Sequence, residues 1–118
     1  MIVYLRLPRS LKPARFLGTS LSSIKAFPKQ ARKEAGDQIL LVQAGEMPED
    51  WKTMPEIGSG VFEIRIHKLD EYRVIYVAKF PEAVYVLHAF NKKSKKTLQR
   101  DIQKARKEYA TLLNQRKK

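Results

Sequence analysis

The stretch V-F-E-I-R-I-H-K-L-D-E-Y-R-V-I-Y-V-A-K-F-P-E-A-V-Y-V-L-H-A-F, residues 61–90, decides the fold of this chain. Along residues 61–67 apolar side chains alternate with polar ones, which is the period of a strand with one buried face. The apolar set is Phe62, Ile64 and Ile66, and the polar set is Glu63, Arg65 and His67. Residues 72–79 and 83–90 read as two further strands. The turns between them, residues 68–71 and 80–82, are short, so the stretch predicts three antiparallel strands.

A short strand and a helical hairpin are predicted before this sheet. Residues 12–17 form the strand, and two helical segments meeting at Pro28 follow it. The second helix carries one apolar face, and Gly45 is a natural end for it. That face consists of Ala31, Ala35, Gln38, Ile39 and Val42. Residues 46–60 read as a loop, from which Trp51 and Met54 are expected to reach the core.

The last segment predicts a helix that begins near Thr97 and packs on the sheet. Its apolar stripe recurs at helical spacing and comprises Leu98, Ile102, Ala105, Tyr109 and Leu112. The predicted fold class is therefore α+β: a small, antiparallel-rich sheet with an N-terminal αα-hairpin and a C-terminal helix. Residues 1–11 are expected to form an N-terminal extension, and residues 12–118 a single domain.

The composition points to a polyanionic partner. The 118 residues include 24 Lys and Arg against 12 Asp and Glu, a formal net charge of +12 at pH 7. A field of this sign attracts RNA, DNA or an acidic surface. There is no cysteine, which excludes disulfides and cysteine-based zinc sites. The apolar runs are too short to span a bilayer or to form a signal peptide, so we expect a cytoplasmic protein with no membrane partner.

No standard motif for metal or cofactor chemistry is present. The two histidines, His67 and His88, do not form a His-x-x-Glu-His pattern. No glycine-rich phosphate loop and no nucleophile elbow occurs. We therefore expect neither a metal nor a cofactor.

Cations on adjoining strands and in the following loop form the candidate site. Arg65 and Arg73 are expected side by side across the ladder, and Arg73 is unusual because it stands in the apolar strand Y-R-V-I-Y-V. The exit loop and the last helix supply further polar groups: Asn91, Lys92, Lys93, Lys95, Lys96, Arg100 and Lys104. A solvated loop is the alternative for the lysine run, and a structural role is the alternative for His88 and Phe90.

The chemistry that suits these residues is phosphate binding. Lysine and arginine neutralise phosphates and release counterions, and fixed cations stabilise the extra charge of a phosphoryl transition state. An RNA strand brings its own nucleophile, the 2′-hydroxyl. An enzyme then needs in-line geometry, a proton acceptor and a proton donor. Phe90 is a candidate for stacking on a base.

Residues 60–97, which extend the opening stretch by Gly60 and by N-K-K-S-K-K-T, resemble the core of the RelE/ParE toxin superfamily. Within it, the chain is similar to the phage-derived, HigB-like host-inhibition branch. Earlier segments agree: K-P-A-R-F-L-G-T-S at residues 12–20, A-F-P-K-Q-A-R-K-E-A-G at 26–36, and residues 42–45. The resemblance covers roughly residues 12 to 113.

The resemblance implies a RelE-like fold and ribosome-dependent cleavage of mRNA, without metal, through 2′-hydroxyl attack and a cyclic phosphate. It implies a cognate HigA-like helix-turn-helix antitoxin as partner. By the same resemblance, Arg73 holds the scissile phosphate and Arg65 is the basic residue on the neighbouring strand. Lys92 or Lys93 would be a phosphate ligand or proton donor.

The chain departs from the family pattern at the start of the last helix. Some members carry a tyrosine there, whereas this sequence has Leu98 and Gln99, so His88, His67 or Phe90 would have to substitute. The predicted catalytic set is Arg65, Arg73, His88, Lys92 and Lys93. The predicted RNA-binding set is His67, Phe90, Asn91, Lys95, Lys96, Arg100 and Lys104.

Two other functions remain open from the sequence. One is a gyrase-directed, ParE-like toxin, against which the retained arginine pair argues. The other is a non-catalytic protein that binds RNA or the ribosome.

Overall fold

A computed structural model describes residues 11–95, 97 and 99–117 of the chain. The expected extension at residues 1–11 therefore lies, apart from Leu11, outside the described residues, as do Lys96 and Leu98. In chain order the elements are β1 (Ala14–Phe16), α1 (Ser20–Lys25), α2 (Lys29–Gln43), β2 (Trp51–Thr53), β3 (Val61–Ile66), β4 (Tyr72–Val77), β5 (Val84–Asn91) and α3 (Gln99–Arg116). The α+β class is confirmed.

The five strands form one sheet in the order β1-β5-β4-β3-β2. The three strands predicted from residues 61–90 are present with their ends shifted by one or two residues, and both of their pairings are antiparallel. β1 runs parallel to β5, and β2 runs antiparallel to β3. The sheet is therefore antiparallel-rich, as predicted.

β2 corrects the prediction that residues 46–60 are only a loop. Trp51 pairs with Ile64 at the edge of the sheet, and all three residues of β2 are exposed, so no apolar alternation marks the strand. Trp51 is 41% exposed and was wrongly expected to reach the core. It packs edge-on against Phe62 instead. Met54 is fully buried, as predicted.

Helices cover both faces of the sheet. The predicted apolar face of α2 is buried throughout and packs with α1 against one side of β3, β4 and β5. The α3 stripe packs on the opposite side, where Ile102, Ala105, Tyr109 and Leu112 meet Ile75, Val77 and Leu87. The expectation that the polar side of β3 faces water is therefore wrong at Glu63, which is 2% exposed.

Gly58 lies where the chain passes under α3, and it leaves no room for a side chain. A Cβ atom there would come within 2.2 Å of the Tyr109 ring. The ring is buried, and its hydroxyl donates a hydrogen bond to the carbonyl of Ser59 at 2.8 Å. Burial and this hydrogen bond leave the ring little freedom to move away.

Gly58→Ala is therefore expected to lower the free energy of unfolding by about 1–3 kcal/mol, the usual cost of overpacking. Gly36→Ala is the matched control, because a Cβ at Gly36 in α2 meets nothing within 4 Å. That control should raise stability by about 0.5–1 kcal/mol, since alanine is the better helix former. Urea unfolding measures both. Equal effects of the two substitutions would contradict the packing described for Gly58.

Candidate functional site

Register brings the predicted arginine pair together. Arg65 lies directly opposite Arg73 across the β3–β4 ladder, and Arg73 lies opposite Phe90 on β5. Residues directly opposite in an antiparallel ladder project from the same face. A second row on this face holds Glu63, Ile75 and His88. The predicted neighbourhood of Arg65 and Arg73 is confirmed, and the face they share is the one that α3 covers.

A cleft of about 390 Å³ opens over this pair, at the start of α3 and beside the loop that follows β5. Its lining residues are Lys52, Glu56, Glu63, Arg65, Arg73, Lys92, Lys95, Thr97, Gln99 and Ile102. Five of these carry a positive charge and two a negative charge. The cleft therefore has a net positive lining and is suited to an anion.

Arg73 is buried in the floor of the cleft, with 4% of its surface exposed. Its Nη1 donates hydrogen bonds to Glu71 Oε1 at 3.0 Å and to the carbonyl of Tyr72 at 2.9 Å. Its Nε lies 3.7 Å from Glu63 Oε1, which makes an ion pair but is too long for a hydrogen bond. Among the described residues this Nε has no hydrogen-bond partner.

Arg65 repeats this feature across the ladder. Its Nε is also buried without a hydrogen-bond partner within the described part of the chain. A buried donor left unpaired costs about 1–3 kcal/mol, and such groups in native proteins call for an explanation. Phosphate oxygens, like carboxylates, are strong acceptors for guanidinium donors. Arg65 and Arg73 are thus ladder partners that line one cationic cleft, and each has a buried Nε without a hydrogen-bond partner in the described part of the chain.

Glu63 is the site residue that sequence reasoning missed. It lines the cleft, and its Oε2 accepts a hydrogen bond from the hydroxyl of Thr97 at 3.3 Å. Burial raises the pKa of the Glu63 carboxyl, while the nearby charge of Arg73 and the Thr97 hydrogen bond act in the opposite direction. The signal for it was available: Glu63 shares a strand face with Arg65, and Arg73 in an apolar strand needs a buried counter-charge.

The lysines of the exit loop divide into two groups. Lys92 and Lys95 line the cleft. The Lys92 ammonium donates to the carbonyls of Ser94 and Lys95 at 2.5 and 2.6 Å, which holds the loop over the site. Lys93 turns outward and pairs with Asp70 at 3.3 Å, and the amide of Asn91 donates to the same carboxylate.

The two histidines lie outside the cleft lining. His88 is 5% exposed, lies within 2.7 Å of Asp101 on α3, and stacks on Phe90 with ring centroids 5.2 Å apart. This position under α3 fits the structural alternative for His88, and Phe90 is partly buried against the same core cluster. His67 lies on the β3–β4 turn, bonded to Glu71 at 2.8 Å and to Asp50 at 2.6 Å.

Arg100 and Lys104 lie on the exposed side of α3 and do not line the cleft. They are four residues apart, so they share one face of the helix. The buried stripe of α3 points the other way, into the sheet. The structure therefore brings together Arg65, Arg73, Lys92 and Lys95, and leaves these two as a separate positive surface. The predicted RNA contact of Lys96 lies outside the described residues.

His67 is expected to make stability depend on pH near neutrality. Hydrogen bonds to Glu71 and Asp50 raise the pKa of His67 above its ordinary value of 6.5. A raised pKa in the folded state means that the contribution is fully present below 6.5 and is lost as pH rises through the higher value. The proton resonances of His67 should titrate with a midpoint above 6.5. The free energy of unfolding should be lower at about pH 8 than at about pH 6, and His67→Gln should remove this difference. A midpoint at or below 6.5 would contradict the ion pairs.

Nowhere in residues 11–95, 97 and 99–117 do three His, Asp or Glu side chains gather as a metal-binding group. In the same part of the chain, no helix combines the length and the apolar character needed to cross a bilayer.

The fold and the cleft define a small α+β protein with an arginine pair under a cationic opening. Residues 22–110 match the family described as phage derived protein Gp49-like (DUF891). The chain belongs to this family, which is toxin-like and related to the RelE/ParE type II toxins. The comparison with curated proteins found no match.

Proposed function

We propose that this chain is the toxin of a type II toxin–antitoxin system and cleaves mRNA on the ribosome, as a HigB-like member of its family. In the reaction, the 2′-oxygen of one nucleotide attacks the adjacent phosphorus in line, and the bond to the 5′-oxygen of the next nucleotide breaks. The products are a 2′,3′-cyclic phosphate and a 5′-hydroxyl. A proton leaves the 2′-hydroxyl and another is added to the departing 5′-oxygen.

The observation that carries this proposal is the pair of buried, unpaired Nε donors on Arg65 and Arg73, counted over the described residues. Both arginines line the same cleft. A phosphate in this cleft accepts hydrogen bonds from the arginines that line it, and the added negative charge of the transition state strengthens those bonds. Membership of a toxin-like family supports the same assignment.

The surrounding cations receive supporting roles in this proposal. Lys92 and Lys95 line the cleft and contact the phosphates on either side of the scissile one. Lys92 is also the candidate donor of the proton to the departing oxygen, because it is a cationic residue of the cleft lining. Lys93, Asn91, Arg100 and Lys104 form an outer surface for ribosomal or messenger RNA.

The proposed partners follow from the reaction. The substrate is mRNA on the ribosome, so the proposed location is the cytoplasm. A HigA-like helix-turn-helix antitoxin is the proposed neutralising partner. The formal net charge of +12 supports binding to the ribosome, whose surface is largely RNA.

The proposal is tested by primer extension on a defined mRNA incubated with purified protein, with and without translating ribosomes. Discrete cuts that appear only with ribosomes, and persist with a chelator, are expected. Intact mRNA together with salt-sensitive ribosome binding would replace the proposal by a non-catalytic binder. Intact mRNA together with inhibited DNA gyrase would replace it by a gyrase-directed toxin.

A further inference from the structure

We propose that Glu63 is the general base of the site: its carboxylate takes the proton of the attacking 2′-hydroxyl. This inference rests on the proposed function and names a residue that the sequence pattern had assigned to an exposed strand face. A catalytic acid or base has to lie beside the position of the reacting atoms, so geometry decides between the candidates before proton affinity does.

Glu63 lies beside the two arginine donors. It is two residues from Arg65 on the same strand face, and its Oε1 is 3.7 Å from Arg73 Nε. Oε1 of its carboxylate faces Arg73, and Oε2 accepts a hydrogen bond from the hydroxyl of Thr97. Glu63, Arg65 and Arg73 line the same cleft, so a phosphate bound there against the arginines has this carboxylate as a neighbour.

The other candidates for a base lie outside the cleft lining or are exposed. His88 is buried against Asp101 and is not part of the cleft lining. His67 is paired with Glu71 and Asp50 on the β3–β4 turn. Glu56 lines the cleft but is exposed, and its carbonyl accepts from Arg106. Glu63 is thus the buried carboxylate of the cleft among the described residues.

The charges around Glu63 suit a base that works near neutral pH. Burial raises the pKa of its carboxyl, and Arg73, Thr97, Lys52 and Arg65 oppose this rise, in that order. Arg73 lies on β4 and Thr97 in the segment before α3, while Lys52 lies on β2 and Arg65 on β3. When a phosphate binds, its oxygens partly neutralise the positive charge of Arg73. The carboxylate then holds a proton more strongly, just when the 2′-hydroxyl is present.

The proton balance of the step is complete with groups of the cleft and water. The 2′-hydroxyl proton passes to Glu63, the 2′-oxygen bonds to phosphorus, and the bond from phosphorus to the 5′-oxygen breaks. The departing oxygen takes a proton from the Lys92 ammonium or from water. Glu63 later returns its proton to water, which restores the starting state.

Glu63→Gln tests this assignment in single-turnover cleavage of mRNA on programmed ribosomes. The amide keeps the size of the side chain but cannot accept the proton. We expect the cleavage rate to fall by about 10²–10⁴-fold, with ribosome binding changed by less than about threefold. The acidic limb of the wild-type pH–rate profile should disappear from the residual activity. Glu46→Gln, an exposed carboxyl beyond α2, is the matched control and should cleave as the wild type does.

A Glu63→Gln protein that cleaves at the wild-type rate overturns the proposal. So does one that loses rate but keeps the acidic limb, because Glu63 then only positions Arg73. If Glu63→Gln does not fold by circular dichroism, Glu63→Asp decides: the proposal requires an acidic limb in its profile, and loss of that limb overturns it. Failure of the wild type to cut mRNA is a separate result, which removes the proposed function itself.

Discussion

Replacing Arg73 by alanine is expected to lower the free energy of unfolding by about 3–5 kcal/mol, the usual cost of removing one partner of a buried ion pair. Arg73 and Glu63 are 4% and 2% exposed, and Arg73 is the largest stabilising charge acting on Glu63. The truncation leaves a buried carboxylate without a counter-charge. It also frees the acceptor groups on Glu71 and Tyr72 that Arg73 now occupies. Urea unfolding at neutral pH measures the loss.

The double variant Arg73→Ala with Glu63→Gln separates this cause from lost packing. It removes both charges, so it should recover a large part of the stability that Arg73→Ala loses. Arg15→Ala is the matched control, since Arg15 is an exposed arginine on the edge strand β1 and should change stability little. A double variant less stable than Arg73→Ala would show that the Glu63 charge is not the source of the loss.

Replacing Arg65 by alanine is expected to have a large effect on cleavage and a small effect on stability. Arg65 makes no ion pair within the described residues, and its Nε has no partner there. Among the groups that lower the pKa of Glu63, Arg65 ranks after Arg73, Thr97 and Lys52, and its removal leaves the Arg73–Glu63 pair in place. If Arg65 holds the scissile phosphate, losing this donor should slow single-turnover cleavage by about 10²–10³-fold.

Arg65→Lys and Arg15→Ala complete this test. Lysine keeps the charge but loses the planar, two-pronged donor geometry, so its cleavage rate should fall between those of wild type and Arg65→Ala. Arg15→Ala removes one positive charge from the other margin of the sheet and should cleave as the wild type does. Equal losses for Arg65→Ala and Arg15→Ala would mean that only net charge matters.

The sequence predicts the strands and helices of this molecule well because its hydrophobic periodicities are clear. The alternation in residues 61–67 identifies a strand and the short turns identify antiparallel pairing. Given that pairing, Arg65 and Arg73 fall on the same side of the sheet. The apolar face of α2 is equally clear, and all of its predicted members are buried.

The burial of Glu63 could not be predicted from the strand alone. Alternation shows that a strand has two sides, but it does not show that a helix covers the polar side as well. The apolar stripe of α3 packs on the face of the sheet that carries Glu63, and Thr97 donates a hydrogen bond to Glu63 on that face. The apolar stripe predicts that α3 packs on the sheet, but it does not determine which of the two faces of the sheet the helix covers. β2 was missed for another reason: three exposed residues carry no periodic signal.

The candidate site was predicted in part. The position of the arginine pair depends on the register between β3 and β4, which follows from their antiparallel pairing. The division between Lys92, which lines the cleft, and Lys93, which pairs with Asp70, depends on how the loop folds back on itself. Nothing in a run of lysines encodes that difference. The sequence leaves the choice between a catalytic and a structural role for His88 open, because its partner, Asp101, lies on a different element.

The most direct test of the central claim is to map the ends of mRNA fragments produced on ribosomes by wild type, Arg65→Ala and Arg15→Ala. The account predicts 2′,3′-cyclic phosphate and 5′-hydroxyl ends from wild type and Arg15→Ala, and at least about 100-fold fewer cuts from Arg65→Ala. Equal cutting by all three proteins, or intact mRNA with wild type, would contradict it.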